Sequence, residues 1–266
     1  MPEYALPYWQ SQTTAEARRA VERDPVLILP LAAIEQHGPH LPLSTDLDIG
    51  LGLIASAFRQ LPDDFPAWVL PAQAIGTSLE HMRFPGTLSL EPETLISVIC
   101  DMGSALARCG IRRLLVGNSH GGNRAALDTA GLRLREEHGL LVVKASYFRL
   151  PRPEGVDLPD SEWQHGLHAG AAETAMMLHL RPDLVHASEI GDARTIGHDL
   201  AGTLRHLQPE GAVSFSWLAG DLNPSGAAGN ARLATAAMGE RLVTHYGAAL
   251  AQAIRDARSF PLARLG

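Results

Sequence analysis

Residues 26–46, VLILPLAAIEQHGPHLPLSTD, join an apolar run to a cluster of charged and imidazole side chains. The apolar beginning predicts a buried strand. Glu35 and His37 lie two residues apart, so an extended backbone directs both side chains to the same side. With Asp46 a short loop later, two carboxylates and an imidazole predict a metal site at the end of this strand. The alternative is a polar loop whose charges cap a helix or face water.

The composition is that of an ordinary globular protein. The chain has 266 residues, 45% of them hydrophobic and 19% charged, which suits one large α/β domain or two small ones. A formal charge of −7 without clustered lysine and arginine argues against nucleic-acid binding. Because we find neither a signal-peptide pattern nor an apolar run of membrane-spanning length, we expect a cytoplasmic protein that does not enter membranes. Twelve histidines favour metal chemistry.

Strand-like and helix-like segments alternate along the chain, which predicts a mostly parallel sheet covered by helices on both faces of a single domain. Segment 150–164, rich in proline and acidic residues, is predicted to be a long loop. Cys100 and Cys109 fall in one predicted helix, too far apart to form a disulfide. The predicted strands are 26–30, 68–72, 113–117 and 140–145, and the predicted helices are 14–23, 46–60, 92–109, 123–138, 169–180 and 230–258.

A second polar cluster follows the predicted strand 113–117. The segment 117–123 reads GNSHGGN and contains His120. Ligands bind beyond the carboxyl ends of strands in open parallel sheets, so we expect His120 near Glu35. The glycines allow close approach of the backbone to a ligand. The alternative is a glycine-rich turn that binds phosphate at a helix N-terminus, although the Walker and dinucleotide patterns are absent from this sequence.

Two further segments carry candidate site residues. In 165–175, HGLHAGAAETA, His168 and Glu173 lie near the start of a predicted helix. If Glu173 is buried in so apolar a stretch, its carboxylate needs a partner. The alternative is that Glu173 is an ordinary solvated charge. In 78–87, SLEHMRFPGT, the polar residues, His81 among them, are candidates for the lining of a substrate pocket, and a surface turn is the alternative.

Three motifs together resemble the creatininase (creatinine amidohydrolase) family. They are EQHGPHLP at 35–42 with Asp46, GNSHGGN at 117–123 and HAGAAET at 168–174; FPGT at 84–87 and GAAGNARLAT at 226–235 also match family patterns. The resemblance implies a single three-layer α/β/α domain over residues 1–266 and a two-metal site. It further implies hydrolysis of a carbon–nitrogen bond other than a peptide bond, and a homo-oligomer that is often a hexamer.

The resemblance also implies a set of metal ligands. Glu35 and His120 bind one divalent ion, His37 binds the other, and Asp46 bridges them; Zn, Mn and Fe all suit such ligands. Creatininase carries a further glutamate ligand where this chain has Gly122. We therefore expect Glu173 to replace that ligand, because a third carboxylate and one hydroxide neutralise two divalent ions.

The implied mechanism is attack of a metal-bound hydroxide on an amide, lactam or formamide carbonyl of a small molecule. We expect the backbone N–H groups of Gly121 and Gly122 to stabilise the oxyanion, and His168 to protonate the leaving nitrogen. Glu173 either ligates metal or orients the water. We expect the loop 150–165, which carries Trp163, to close over the substrate and exclude water. The alternative is a surface tryptophan at a crystal or oligomer contact.

Several other functions remain open from the sequence alone. Within the family, the substrate is alternatively a formamide of a pyrimidine intermediate, a peptide in cofactor maturation, or a keto compound derived from a cyclic polyol. From other classes, the chain is alternatively a phosphate- or nucleotide-binding module that uses the turn at Gly121, or a non-catalytic metal-dependent subunit. Metal content separates these classes.

Overall fold

The computed structural model describes residues 6–265, and in that range the principal sheet has four parallel strands. Their spatial order is β2–β1–β3–β4, so β1 and β3 lie side by side in the centre. Leu31 at the end of β1 pairs with Asn118 at the end of β3, and the loops that follow both strands therefore leave the sheet together. The strands are β1 (Val26–Leu31), β2 (Ala67–Val69), β3 (Arg113–Asn118) and β4 (Leu141–Ser146).

Helices cover the sheet on both faces. The longer ones are α1 (Thr14–Glu22), α2 (Thr45–Phe58), α3 (Pro92–Arg108), α4 (Arg124–His138), α6 (Ala171–Leu180) and α9 (Ala236–Ser259). Short helices lie between them: α5 (Asp160–His165), α7 (Ile196–Leu200) and α8 (Ala219–Leu222).

The alternation of side chains along β1 determines the layers. Leu27 and Leu29 pack into a core with α3 and α4, whereas Val26 and Ile28 pack into a second core with α2 and α9. All four side chains are fully buried. Because successive strand residues point to opposite faces, a wholly apolar strand requires helices on both sides. The predicted three-layer α/β/α architecture is confirmed.

The prediction that 150–164 is only a loop is wrong, because α5 begins at Asp160. The predicted helix 230–258 also begins later, at Ala236, since the Thr235 side chain caps that end by accepting from the Met238 amide at 3.1 Å. The residues before it form β6 (Gly229–Asn230), antiparallel to β5 (Asp192–Ala193).

None of the helices within residues 6–265 is long and apolar enough to cross a membrane. Cys100 lies in α3 and Cys109 directly after it, and both are free thiols. The expected lack of a disulfide between them is therefore confirmed.

Candidate metal centre

Four segments meet beyond the carboxyl ends of β1 and β3. Glu35 and His37 come from the loop after β1, Asp46 from the first turn of α2, and His120 from the loop after β3. Glu173 reaches the same place from the first turn of α6. The first four are at most 5% exposed, and the Glu173 side chain is 17% exposed. The structure thus brings together all five residues expected to bind metal.

These residues form two sets of three that share Asp46. One set is Glu35, Asp46 and His120, and the other is His37, Asp46 and Glu173; within each set the ligand atoms lie within 4.8 Å of one another. The Asp46 Oδ1 atom lies 3.4 Å from His37 Nε2, and its Oδ2 atom lies 3.3 Å from His120 Nδ1. One carboxylate therefore offers a separate oxygen to each set.

Backbone carbonyls determine which ring nitrogen of each histidine faces the centre. His37 Nδ1–H donates to the Glu35 carbonyl at 3.0 Å, and His120 Nε2–H donates to the Thr77 carbonyl at 2.7 Å. A carbonyl only accepts, so each of these nitrogens carries the proton. In the neutral ring the opposite nitrogen has a lone pair that a cation can bind, and it points at the carboxylates, as in metal sites whose histidines are oriented by outer partners.

Several buried atoms of the centre have no hydrogen-bond partner among the described residues. They are both carboxylate oxygens of Glu35, His37 Nε2 and Asp46 Oδ2. Each buried polar atom left unpaired costs about 1–3 kcal/mol. Their convergence on one point, with carboxylate and imidazole chemistry, fits divalent cations.

The charge balance of the centre also favours cations. Burial lowers the pKa of His37, but Asp46 and Glu173 outweigh it and raise that pKa to about 9. The pKa of His120 is likewise well above its usual value despite burial, because Glu35 and Asp46 face it. The carboxylates therefore attract positive charge strongly enough to protonate buried imidazoles, and metal ions supply the same charge.

His168 lies in the centre as a neutral imidazole. Its Nε2–H donates to the Gln36 carbonyl at 2.6 Å, while Nδ1 lies 3.7 Å from Glu35 Oε1. Burial and the neighbouring His37 hold the pKa of His168 well below its usual value. With its N–H engaged by a carbonyl, His168 presents a lone pair to the centre. Its expected role as a general acid stays a prediction.

His81 lies beside Glu35 and is 2% exposed. Its Nδ1 accepts from Gln36 Nε2 at 2.7 Å, so Nε2 carries the proton and points to Glu35 Oε1 at 3.4 Å. Burial and the stacked His168 ring, with centroids 4.2 Å apart, lower the pKa of His81 to about 3. The structure places His81 as a partner of Glu35, and its expected contact with substrate stays a prediction.

The two glycines after His120 have different surroundings. A Cβ atom at Gly121 would meet nothing within 4 Å, so open space lies beside this backbone. A Cβ at Gly122 would lie 2.4 Å from the Thr77 carbonyl oxygen and 2.5 Å from His120 Nε2. Glycine is therefore needed at position 122, because the loop that contains Thr77 leaves no room for a side chain there.

Glu80 belongs to the polar segment 78–87, but the sequence did not predict its place beside the metal-centre histidines. It lies on a single turn, Leu79–His81, with Oε1 3.7 Å from His120 Nε2 and 4.0 Å from His81 Nε2. The same oxygen would lie 2.9 Å from a Cβ at Gly122. This carboxylate thus fills the space that a side chain at position 122 would enter. The only sequence signal was its position next to His81.

We expect Glu80→Gln to weaken metal binding or activity roughly tenfold, the loss typical of an outer partner of a ligand. The variant keeps the size of the side chain and removes its charge beside His120. Metal affinity, measured by titration calorimetry, and kcat/KM check the effect. Exposed Glu93→Gln is the control. Equal values for Glu80→Gln and the control would show that the charge at Glu80 does not matter.

Trp163 lies on α5 rather than in a structureless loop. It is half-buried against the core that contains Leu41 and Ile49, and the Arg152 guanidinium lies 5.2 Å from the ring centroid. The short helix and this cation–π contact order the tryptophan. Its expected contact with substrate stays a prediction.

Comparison with known proteins gives the same family as the motifs. The family model described as "Creatininase: Creatinine amidohydrolase" matches residues 10–254. The chain belongs to the creatininase family. It is 33% identical over 234 residues to the mycofactocin precursor peptide peptidase of Mycolicibacterium smegmatis, covering 86% of this chain and 84% of that protein.

Two further members show how far the family likeness extends. Creatinine amidohydrolase of Pseudomonas putida is 32% identical over 195 residues, covering 65% of this chain and 71% of that protein. A solved structure named "Creatininase Mn" has a TM-score of 0.76 and 26% identity, with 94% of this chain and 98% of that one covered. These comparisons establish that the chain has the creatininase fold and is a hydrolase of this family.

Proposed function

We propose that this chain hydrolyses an amide carbon–nitrogen bond at a centre that holds two divalent cations. The proposal rests on the position of Asp46. One of its carboxylate oxygens lies 3.4 Å from His37 Nε2, and the other lies 3.3 Å from His120 Nδ1. A carboxylate shared in this way is the usual bridge of a two-metal hydrolytic site. The manganese named in the related creatininase structure supports this proposal.

The ligand chemistry decides which cations fit. Glu35 and His120 would hold one ion, His37 and Glu173 would hold the other, and Asp46 would contribute to both sites. Zinc, manganese and iron(II) are all compatible with imidazole and carboxylate ligands. Bound there, the ions would lower the pKa of water and polarise the substrate carbonyl.

The remaining charge of the centre suits acyl chemistry. Three carboxylates offset three of the four positive charges of two divalent ions, leaving one. That charge favours the negative charge that develops on a carbonyl oxygen during hydrolysis. The open space beside Gly121 leaves room for the carbonyl, and the backbone N–H groups of Gly121 and Gly122 are our candidates for further stabilisation.

Glu173 is held firmly enough to act as a ligand. The Ala169 amide donates to its Oε2 at 2.6 Å, and the Tyr147 hydroxyl donates to its Oε1 at 3.3 Å. Oε2 also lies 4.0 Å from His37 Nε2. These contacts hold the carboxylate beside His37, which supports a role for Glu173 as a ligand of the second cation. Orientation of the attacking water is the alternative role.

The motifs favour a substrate with a non-peptide bond, such as a cyclic amide. A peptide bond is the second candidate, because the peptidase from Mycolicibacterium smegmatis shares 33% identity over 86% of this chain. Both bonds present a carbonyl and a leaving nitrogen to the same groups. Hydrolysis rates for lactams, formamides and short peptides, compared at equal metal loading, distinguish the candidates.

We expect about two equivalents of transition metal per chain, and loss of about one equivalent with roughly hundredfold lower activity in His37→Ala. The variant removes one ligand of the set that contains Glu173, while Glu35, Asp46 and His120 remain. Elemental analysis and activity toward the best substrate of the screen provide the measurements. The exposed histidine variant His206→Ala is the control. A protein purified without any metal, or unchanged metal and activity in His37→Ala, would refute the proposed function.

A further inference from the structure

A buried carboxylate lies just outside the metal centre and binds none of its members. Glu162, on α5, is 6% exposed. Its Oε1 accepts from the Ala171 backbone amide at 2.8 Å, and its Oε2 accepts from the Asn230 backbone amide at 2.8 Å. The ion pairs within residues 6–265 do not include Glu162. Two backbone amides therefore supply the principal compensation for this buried charge, which is costly to leave unpaired.

Three glycines surround this carboxylate. A Cβ atom at Gly166, Gly170 or Gly229 would lie 2.5, 2.8 or 2.8 Å, respectively, from Glu162 Oε1. These distances are shorter than any ordinary contact, so a side chain at any of the three positions would displace the carboxylate. The absence of a side chain at all three glycines thus makes room for one carboxylate oxygen of Glu162.

The two amides that bind Glu162 belong to the segments that carry site residues. Ala171 is the first residue of α6, two positions before Glu173. Asn230 lies two positions after Ala228, whose backbone pairs with His168 through bonds of 3.2 and 2.7 Å. The negative charge also lies at the N-terminus of α6, where the helix dipole favours it. Glu162 consequently links the start of α6 to segment 228–230, which pairs with His168 through Ala228.

We propose that Glu162 is a positioning residue that holds the first turn of α6, and with it Glu173, at the distance from His37 that the second cation requires. This inference rests on the proposed two-metal function. In this proposal, Glu162 itself contacts neither a cation nor the substrate. Its effect reaches the centre through the Ala171 amide and the backbone between residues 168 and 173.

The test is Glu162→Gln, which preserves size but replaces one acceptor oxygen by a donating amide group. That group faces a backbone N–H and cannot accept from it. We expect the ion held by His37, Asp46 and Glu173 to bind at least about tenfold more weakly, while the ion held by Glu35, Asp46 and His120 is retained. Manganese titration of the whole protein by calorimetry, with elemental analysis, measures both steps. Exposed Glu154→Gln, on the preceding segment, is the control.

The outcomes separate this inference from the proposed function. Selective loss of one of two ions in Glu162→Gln supports a positioning role, and two ions bound with wild-type affinity overturn it. A purely structural role would lower the melting temperature without changing the second binding step. If the wild-type protein binds fewer than two ions, the proposed function fails first and this inference falls with it. If Glu162→Gln does not fold, Glu162→Asp, which keeps the charge but shortens its reach, should show the same selective weakening.

Discussion

Asp46→Asn is expected to remove both metal ions and to lower kcat/KM about a thousandfold or more. The carboxylate is the one group shared by both ligand sets, with an oxygen facing each histidine. The asparagine amide has the shape of the carboxylate but no negative charge. An NH2 group replaces one oxygen, and this group donates hydrogen bonds and cannot bind a cation. Metal chemistry contributes several kcal/mol to such reactions, and each factor of ten in rate corresponds to about 1.4 kcal/mol.

Elemental analysis and steady-state kinetics check the result for Asp46→Asn. Asp101→Asn is the matched control, because it makes the same chemical change at an exposed position of α3 that is not among the candidate ligands. Circular dichroism must show that both variants fold. Two ions bound by folded Asp46→Asn would contradict the bridging role, and near-normal activity without metal would contradict metal-dependent hydrolysis altogether.

Much of the fold was predictable from the sequence because β1 is wholly apolar. A strand with buried side chains on both faces needs a layer of helices on each side, and the alternation of segments supplied those helices. The meeting of Glu35 with His120 was predictable for the same reason. Both follow neighbouring parallel strands, whose carboxyl ends share one edge of the sheet.

The contacts that support the ligands were not predictable in this way. Glu80 reaches His120 from a turn some forty positions earlier, and Glu162 binds amides at both Ala171 and Asn230. Such pairings depend on how loops cross one another after the layers have formed. Neither hydrophobic period nor strand order determines them. The orientation of His120 likewise depends on the carbonyl of Thr77, a group that every residue possesses.

The boundaries of the helices were missed for local reasons. The predicted helix 169–180 begins at Ala171 because Ala169 has a φ of 53° and because His168 is bridged to Ala228. That delayed start leaves the Ala171 amide free to donate to Glu162. It also places Glu173 in the first turn of the helix, where its carboxylate accepts from the Ala169 amide. The irregular backbone at this helix start is therefore part of the site.

Gly239→Ala is expected to lower the free energy of unfolding by about 3 kcal/mol, at the upper end of the usual cost of overpacking. A Cβ at position 239 of α9 would lie 1.8 Å from the Ala175 carbonyl oxygen and 3.0 Å from His179 Cβ. The obstacle is mainly backbone of α6, so a rotamer change cannot relieve it. Urea unfolding, followed by circular dichroism, measures the loss.

Gly131→Ala is the matched control, because it adds the same methyl group to a buried glycine within a helix. There a Cβ would lie 3.5 Å from Val142 Cγ1, an ordinary contact, so the better helix propensity of alanine should stabilise α4 by up to about 1 kcal/mol. If both substitutions change stability equally, close packing of α9 on α6 is not what requires Gly239. Because α6 also carries Glu173, a shift that relieves the Gly239→Ala contact should weaken metal binding, whereas Gly131→Ala should leave it unchanged.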